Sequence, residues 1–398
     1  MTAKGYCMRR LQGLLCFLLL GLTGCDFFVP QTNSGGGTNT GDYLYVANSN
    51  NTFLAGFSVS STGTLSVLKN SPYNNGVAAQ SVTVTPANTF LYAGTTNGIF
   101  AYAINSDGSI TVQNSGAAVA QDIVATSMQI EVDSTGTYLL AAGVGTAIGA
   151  QAIAIYTVNT STGLLTALTG SPVALYTGNG TTATVVTPNN VLITPNNSYV
   201  YVSLGTLGVQ VLTLKSGGAL NAGTNPTILP PSSKSTSPSD GGLASDPLSA
   251  FLFVAEINTG LRVFSIGTGG ALNEVTGSPY AVGTGPVAVL LDTTGSYVYV
   301  ANKGSNNISG FLLTAASGKL TAIAGSPFAS GGQLPVAMVN DNTKSFVAVI
   351  NSGSNGSNSN SDLQTFKFDA TTDGKLVPVA TATTGTDPTN PGAIAASH

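Results

Sequence analysis

The sequence predicts an all-β fold, a seven-bladed β-propeller closed by its C-terminal strand. Three observations predict it. An aromatic-led β segment recurs seven times, at Tyr43, Phe90, Tyr138, Tyr199, Phe251, Tyr297 and Phe346, each a short apolar and β-branched run such as Tyr297-Val298-Tyr299-Val300. A Gly-x-Leu/Ile marker follows each one, at Gly63, Gly108, Gly163, Gly218, Gly270, Gly318 and Gly374. The chain then ends on one more strand-like run, PGAIAAS over residues 391–397, with no aromatic segment after it. Self-similarity at about 50 residues is the signature of a ring of four-stranded blades. It overrides the two or three domains that 398 residues would otherwise suggest.

Residues 1–24 read as a signal peptide. Lys4, Arg9 and Arg10 precede the apolar run LLCFLLLGL of residues 14–22, too short for a mature membrane-spanning helix and right for a signal core. The run ends in Leu22-Thr23-Gly24-Cys25, which resembles the lipobox of bacterial lipoproteins. That resemblance implies cleavage before Cys25, a lipid attached to it, and an address on the periplasmic or surface side of a bacterial cell envelope. Residues 25–42 then form a Gly/Ser/Thr/Asn tether; a flexible linker of this length reaches roughly 20 Å, enough to clear the lipid headgroups.

The propeller itself is assigned to residues 43–398. Each unit carries a small-residue inner strand, such as PVAVLLD before Tyr297, then the aromatic segment, then a third strand marked by Phe57, Tyr102, Tyr156, Leu212, Phe264, Phe311 or Phe366, then the marker glycine in a hairpin to an outer strand. Glycine takes the positive φ of such a turn without strain. Blade 1 has no inner strand ahead of Tyr43, so residues 391–397 are expected to supply it, leaving no open sheet edge at the seam.

Composition excludes several function classes. Without residues 1–24 the chain has 8 Lys and 1 Arg against 16 Asp and Glu, a net charge of −7, and a single cysteine. No disulfide framework or cysteine metal site is expected, no cofactor is indicated, and an acidic chain with one arginine is not a nucleic-acid binder. A single closed ring also predicts a monomer.

Strand parity assigns the loops between second and third strands, and between successive blades, to one face. That face holds the length variation: residues 143–151, 173–189, 229–242 and 351–362. Variable loops on a rigid frame carry binding residues, so this is the expected functional face, for a small molecule, glycan or protein. Lys303 and Asn306 lie on it and are candidate ligand contacts. Asp133, Asp246, Asp292 and Asp341, each five residues before a blade aromatic, read as turn formers that bond their own backbone, and residues 369–374, DATTDG, as a hairpin rather than a calcium loop.

Glu131 is the one charged residue in the middle of an inner strand; it either faces an axial channel or pairs across a blade interface, with catalysis a third reading. Arg262, the only arginine after the signal segment, reads first as a buried side chain paired with Glu256 or Glu274; Glu256 and Arg262 are also candidate ligand residues.

These repeats resemble the seven-bladed YVTN-repeat and lactonase-type (6-phosphogluconolactonase-like) propellers, through Pro286 to Gly295, Tyr299-Val300-Ala301-Asn302, Phe311, Gly318-Lys319-Leu320 and Gly325-Ser326-Pro327-Phe328. The resemblance spans residues 43–397 and implies the propeller fold, with lactone hydrolysis as one activity of the family. Active members use His, Arg and carboxylate side chains in the central cleft. Here the only histidine is His398, and no catalytic set carries over; Glu131 is the weak candidate. The expected function is therefore a lipid-anchored binding module, with a diverged lactone hydrolase as the alternative.

Overall fold

The computed structural model describes residues 41–49, 51–175, 187–221, 227–353, 362–384 and 391–398. The signal segment, Cys25, the tether up to residue 40, and much of the candidate loops 173–189 and 351–362 lie outside the described residues. Within them, seven antiparallel sheets form, one per sequence repeat. Helical structure among the described residues amounts to two three-residue 3-10 turns, Asn114–Gly116 and Thr268–Gly270.

The second strands are the aromatic segments: Tyr43–Asn48, Phe90–Thr95, Tyr138–Gly145, Tyr199–Ser203, Phe251–Ile257, Tyr297–Asn302 and Phe346–Gly353. The inner strands touch in ring order, from Ala79–Val84 through Ile123–Val132, Asn190–Ile193, Ser239–Ser245, Pro286–Leu291 and Gln333–Asn340 to Pro391–Ala396 and back. The strand at residues 391–396 pairs with Tyr43–Asn48 as the inner strand of blade 1. Tyr43 N donates to Ser397 Oγ at 2.8 Å and Ser397 N to Tyr43 O at 2.9 Å, so Ser397 extends the ladder by one residue. Register is uniform: Glu131, Thr83, Leu192, Ala244, Leu290, Val339 and Ala395 each stand opposite the third residue of their second strand.

The two sequence markers meet in space. A Cβ on Gly108 would lie 2.5 Å from the Tyr43 ring, and one on Gly163, Gly218, Gly270, Gly318, Gly374 or Gly63 would strike Phe90, Tyr138, Tyr199, Phe251, Tyr297 or Phe346. Each hairpin glycine, at φ between 69° and 84°, thus seats on the lead aromatic of the preceding blade, and the Gly63–Phe346 contact closes the ring. The tyrosine two residues after the lead completes the joint in four blades: Tyr45, Tyr92, Tyr201 and Tyr299 donate their hydroxyls to the carbonyls of Gly108, Gly163, Gly270 and Gly374 at 2.8, 2.9, 3.4 and 2.6 Å. In blade 7, Thr365 Oγ1 does the same for Gly63 O at 2.9 Å. The repeated phrase is therefore an interface device, used once per blade.

Gly108→Ala should accordingly lose both the backbone freedom at φ 78° and the seat on Tyr43, about 2–4 kcal/mol in all. Gly116→Ala, at φ 81° with nothing within 4 Å, should lose only the former, about 1–2 kcal/mol. Urea denaturation of the two variants side by side measures the difference.

Two features differ from the sequence expectation. The outer strand is broken in several blades, with short pieces Tyr73–Asn74, Val173–Ala174, Thr227–Leu229 and Phe328–Ala329 forming a fifth strand against the third. At Ser-Pro breaks the proline cannot donate to the ladder, and the serine hydroxyl takes over: Ser71, Ser171, Ser278 and Ser326 accept from the backbone N–H of Gly56, Ile155, Val263 and Gly310 at 2.8 to 3.1 Å. Second, Asp240-Gly241-Gly242, within the expected variable loop of residues 229–242, belongs to an inner strand, Ser239–Ser245. A Cβ on Gly242 would lie 2.6 Å from Val287 O and 2.7 Å from Ala288 Cα. The glycine is there because the next inner strand passes against it.

Candidate functional site

The turn between inner and second strands settles the aspartates. Asp133, Asp246, Asp292 and Asp341 accept the backbone N–H of the lead aromatics Tyr138, Phe251, Tyr297 and Phe346 at 2.7, 2.6, 2.7 and 2.6 Å. Thr85 and Thr194 do the same for Phe90 and Tyr199. They shape turns, as the sequence indicates. Residues 369–374 likewise form a hairpin in which Asp369 accepts from Thr371 and Thr372; those hydrogen bonds pull its carboxyl down to about 2.

Glu131 lies two residues before Asp133, at the end of its inner strand nearest these turns and away from the variable loops. Its Oε2 accepts the Ile193 N–H of the neighbouring inner strand at 2.9 Å. The residue keeps some solvent exposure, yet its carboxyl is enclosed, and burial pushes it up to about 8, opposed by the Ile193 N–H and reinforced by Asp133. Other inner-strand polar groups make comparable bonds between blades: Ser81 Oγ donates to Met128 O at 2.7 Å and Asn340 Nδ2 to Leu291 O at 2.8 Å. Glu131 therefore pairs across a blade interface. A raised carboxyl stabilises the fold fully below its unfolded value near 4.5, and that contribution is lost as pH rises towards 8. Glu131→Gln should therefore match wild type near pH 4 and exceed it increasingly up to pH 8, by on the order of 1–3 kcal/mol. Thermal melts across that range measure this.

The charged cluster lies at the variable-loop face of blade 5. Glu256 stands at the end of its second strand, where the equivalent positions carry buried polar residues in four blades, Asn48, Thr95, Asn302 and Asn351, and Gly143 and Leu204 in the other two. In blades 6 and 7 this asparagine sits beneath the connector entering its own blade: a Cβ on Gly283 would meet Asn302, and one on Gly332 would meet Asn351. Glu256 does this as a carboxylate, accepting the Ser232 N–H at 3.2 and 3.0 Å.

Arg262 supplies the counter-charge. Its Nη1 lies 3.2 Å from Glu256 Oε2 and donates to Pro230 O at 3.0 Å, while Nε and Nη2 fork onto Glu274 at 3.3 and 3.1 Å. The guanidinium also sits 4.7 Å above the Phe264 ring. Ser278 Oγ donates to Glu274 at 2.8 Å; with Arg262 it holds that carboxyl below its usual value despite burial. Arg262 thus pairs with both carboxylates that the sequence offered it.

Asp240 is the residue that sequence reading missed. It faces Glu256 across the ladder, is fully buried, and neither carboxylate oxygen has a hydrogen-bond partner if both acids are ionised. Burial, then Glu256, push it up to about 8, with Arg262 opposing. Its signal was a charge beside two glycines, immediately ahead of the small apolar run Leu243-Ala244 that register places in an inner strand.

The structure does not bring the remaining candidates to this cluster. Lys303 sits in the loop after Tyr297–Asn302 and contributes its backbone N–H to Gly285 O at 2.8 Å. Asn306 Oδ1 accepts from Leu334 N at 2.8 Å and its carbonyl receives Ser330, so Asn306 ties two loops together. His398 lies on the opposite face, its backbone N–H on Asn88 and its ring 3.2 Å from Val84 O; burial lowers its pKa. Among the described residues no group of three or more His, Cys, Asp or Glu side chains is placed to hold a metal ion.

Comparison with known proteins agrees with this architecture. The family model described as "Lactonase, 7-bladed beta-propeller" matches residues 56–390. No curated protein sequence matches at a significant level. Similar solved structures include a Bacteroides fragilis protein provisionally described as a 6-phosphogluconolactonase, at 14% identity and TM-score 0.65, covering 92% of this chain and 100% of that one. The periplasmic gluconolactonase of Pseudomonas aeruginosa aligns at 16% identity and TM-score 0.62, covering 85% of this chain and 96% of its own. A Lactobacillus plantarum protein aligns at 18% identity and TM-score 0.63, covering 90% and 100%. At these identities the likeness is one of fold.

Proposed function

The chain belongs to the lactonase family of seven-bladed β-propellers, and from that premise we propose that it acts as a binding module, engaging a neutral, hydroxyl-rich ligand such as a glycan through its variable-loop face. The observation that carries this reading is the distribution of charge. On the described part of that face the charged residues of the loops are Asp122, Lys234, Lys303 and Asp362, with Glu274 exposed at its outer edge and paired with Arg262, among many Asn, Ser, Thr and Gly. The strong cation and two of the carboxylates around it are sealed below: Arg262 is 5% exposed, and Asp240 and Glu256 are 0% exposed, while Glu274 stays at the surface. A lactone hydrolase needs a base and oxyanion donors that reach the carbonyl, whereas hydroxyl-rich ligands are held by amide and hydroxyl groups.

The second reading is a diverged lactone hydrolase. Family membership favours it, as does the grouping of Asp240, Glu256 and Arg262. Those groups would have to be uncovered before they met a substrate.

The proposal includes an address. Cys25, lipidated after removal of residues 1–24, would hold the monomeric ring to a cell-envelope membrane by its tether. Two measurements test the whole. Residues 26–398 should bind neutral glycans on an array without competition from gluconate; an array showing no neutral-glycan binding would sink the ligand class. Cys25→Ser should move the full-length protein from the membrane to the soluble fraction of its host, and unchanged membrane association would sink the anchor.

A further inference from the structure

The connector between blades 4 and 5 is fastened to the buried charges beneath it. Pro230 O receives Arg262 Nη1, Ser232 N–H lies on Glu256, Lys234 Nζ donates to Ser278 O at 3.0 Å, and Ser237 O receives Asn258 Nδ2 at 2.9 Å. Three of these four ties run to the cluster or to the serine that bonds it. At Pro230 and Ser232 the connector is held directly by Arg262 and Glu256.

The cluster contains one carboxylate too many. Asp240 and Glu256 are sealed beside Arg262, with Glu274 and Lys234 at the margin, so full ionisation leaves an unpaired negative charge in the interior. Glu256 has partners in Ser232 and Arg262, and Glu274 in Arg262 and Ser278. Asp240 has none for either side-chain oxygen. From its other sides it meets no charge: Asn189 Nδ2 donates to its carbonyl at 2.9 Å, its N–H donates to Gly205 O at 3.1 Å, and the adjoining inner strand Pro286–Leu291 is apolar. Glu256 and Arg262 are the charged groups that act on it.

We propose that a proton held on Asp240 and donated to Glu256 is a latch: it keeps the connector of residues 230–238 closed over the loop face, and its loss with rising pH releases that connector. With the proton in place, Asp240 gains a partner and Glu256 keeps its hold on Ser232. Without it, two carboxylates face each other at adjacent positions of a ladder in a dry interior, and the cheapest relief is entry of water, which requires the connector to lift. The site is a conformational device, independent of which ligand the face binds.

The direction follows from linkage. In the closed form Asp240 is raised to about 8, and in an opened, hydrated form it returns towards its ordinary value of 3.8. The closed state is fully favoured below the lower value, and its advantage is lost as pH rises to the upper one. Each pH unit between these limits multiplies the open population about tenfold.

The test is hydrogen exchange at the amides of Ser232, Ser233 and Lys234 in residues 26–398, corrected for the intrinsic pH dependence of exchange. The opening constant should rise about 100-fold from pH 5 to 7 and level off near pH 8. Asp240→Asn, which keeps a donor towards Glu256 and cannot ionise, should make it flat. If opening is the same at pH 5 and pH 8 in wild type, or if Asp240→Asn retains the slope, the latch is wrong. A readout that does not depend on that variant folding is infrared spectroscopy in a background carrying Glu131→Gln and Asp42→Asn, which removes the other two carboxyls that burial raises. A buried protonated carboxyl band titrating near pH 8 is expected, and no such band at pH 6 would overturn the proposal.

Discussion

Deleting residues 391–398 should abolish stable folding, or lower stability by on the order of 5 kcal/mol or more, a large part of what a domain typically has. The deletion removes the whole inner strand of blade 1 and bares the ladder edge from Leu44 to Asn48. Leu44, Tyr45, Val46 and Ala47 are all 0% exposed in the closed ring, and burying a large aliphatic side chain is worth about 1.5–3 kcal/mol. The edge left behind would be an unpaired, apolar template for aggregation. The contacts of the last two residues would go too: Ser397 on Tyr43 and Gly41, and His398 on Asn88. A truncated protein that melts at the wild-type temperature would show that the strand is not part of the ring.

Arg262→Ala is the point substitution with the largest expected cost, about 3–5 kcal/mol. It strips Glu256 of the one cation it pairs with among the described residues and Glu274 of a two-pronged partner, in an interior where Glu256 is 0% exposed. The loss comes mostly from the carboxylate left behind, not from the pair itself. Arg262→Met combined with Glu256→Gln should therefore be far less damaging than Arg262→Ala, even though more of the cluster has been removed. Arg262→Lys should fall between, since an ammonium cannot span both carboxylates with a planar fork. Additive costs in the double variant, measured by urea denaturation, would contradict this account.

The architecture was legible because each repeat states its own requirements. The aromatic and the glycine recur together in sequence because they touch across every blade interface, and the missing inner strand of blade 1 with the surplus strand at the end could only be one element. The turn aspartates and the pairing of Arg262 were legible for the same reason, since their partners are local or few. Asp240 was not. Its two glycines carry the signature of a loop, and their use, the close approach of Val287 and Ala288, is a contact between strands about 45 residues apart that no local pattern records. The placement of Glu131 was half legible: register fixed its strand and its opposite residue, but only the neighbouring blade shows that Ile193 N–H is its partner.

The distinction between a binding ring and a hydrolase comes down to turnover. Residues 26–398 assayed against a panel of sugar and dicarboxylate lactones, from pH 6 to 9, should show no hydrolysis above the uncatalysed rate. The base and oxyanion donors that such chemistry requires are each worth on the order of a hundredfold or more in rate, and here Arg262 is bonded to Glu256 below the surface and to Glu274 at its edge, with Asp240 fully buried. Turnover in the ordinary enzyme range that is abolished by Asp240→Asn or by Glu131→Gln, with the fold intact, would contradict the binding reading and identify the residue concerned as the catalytic acid or base.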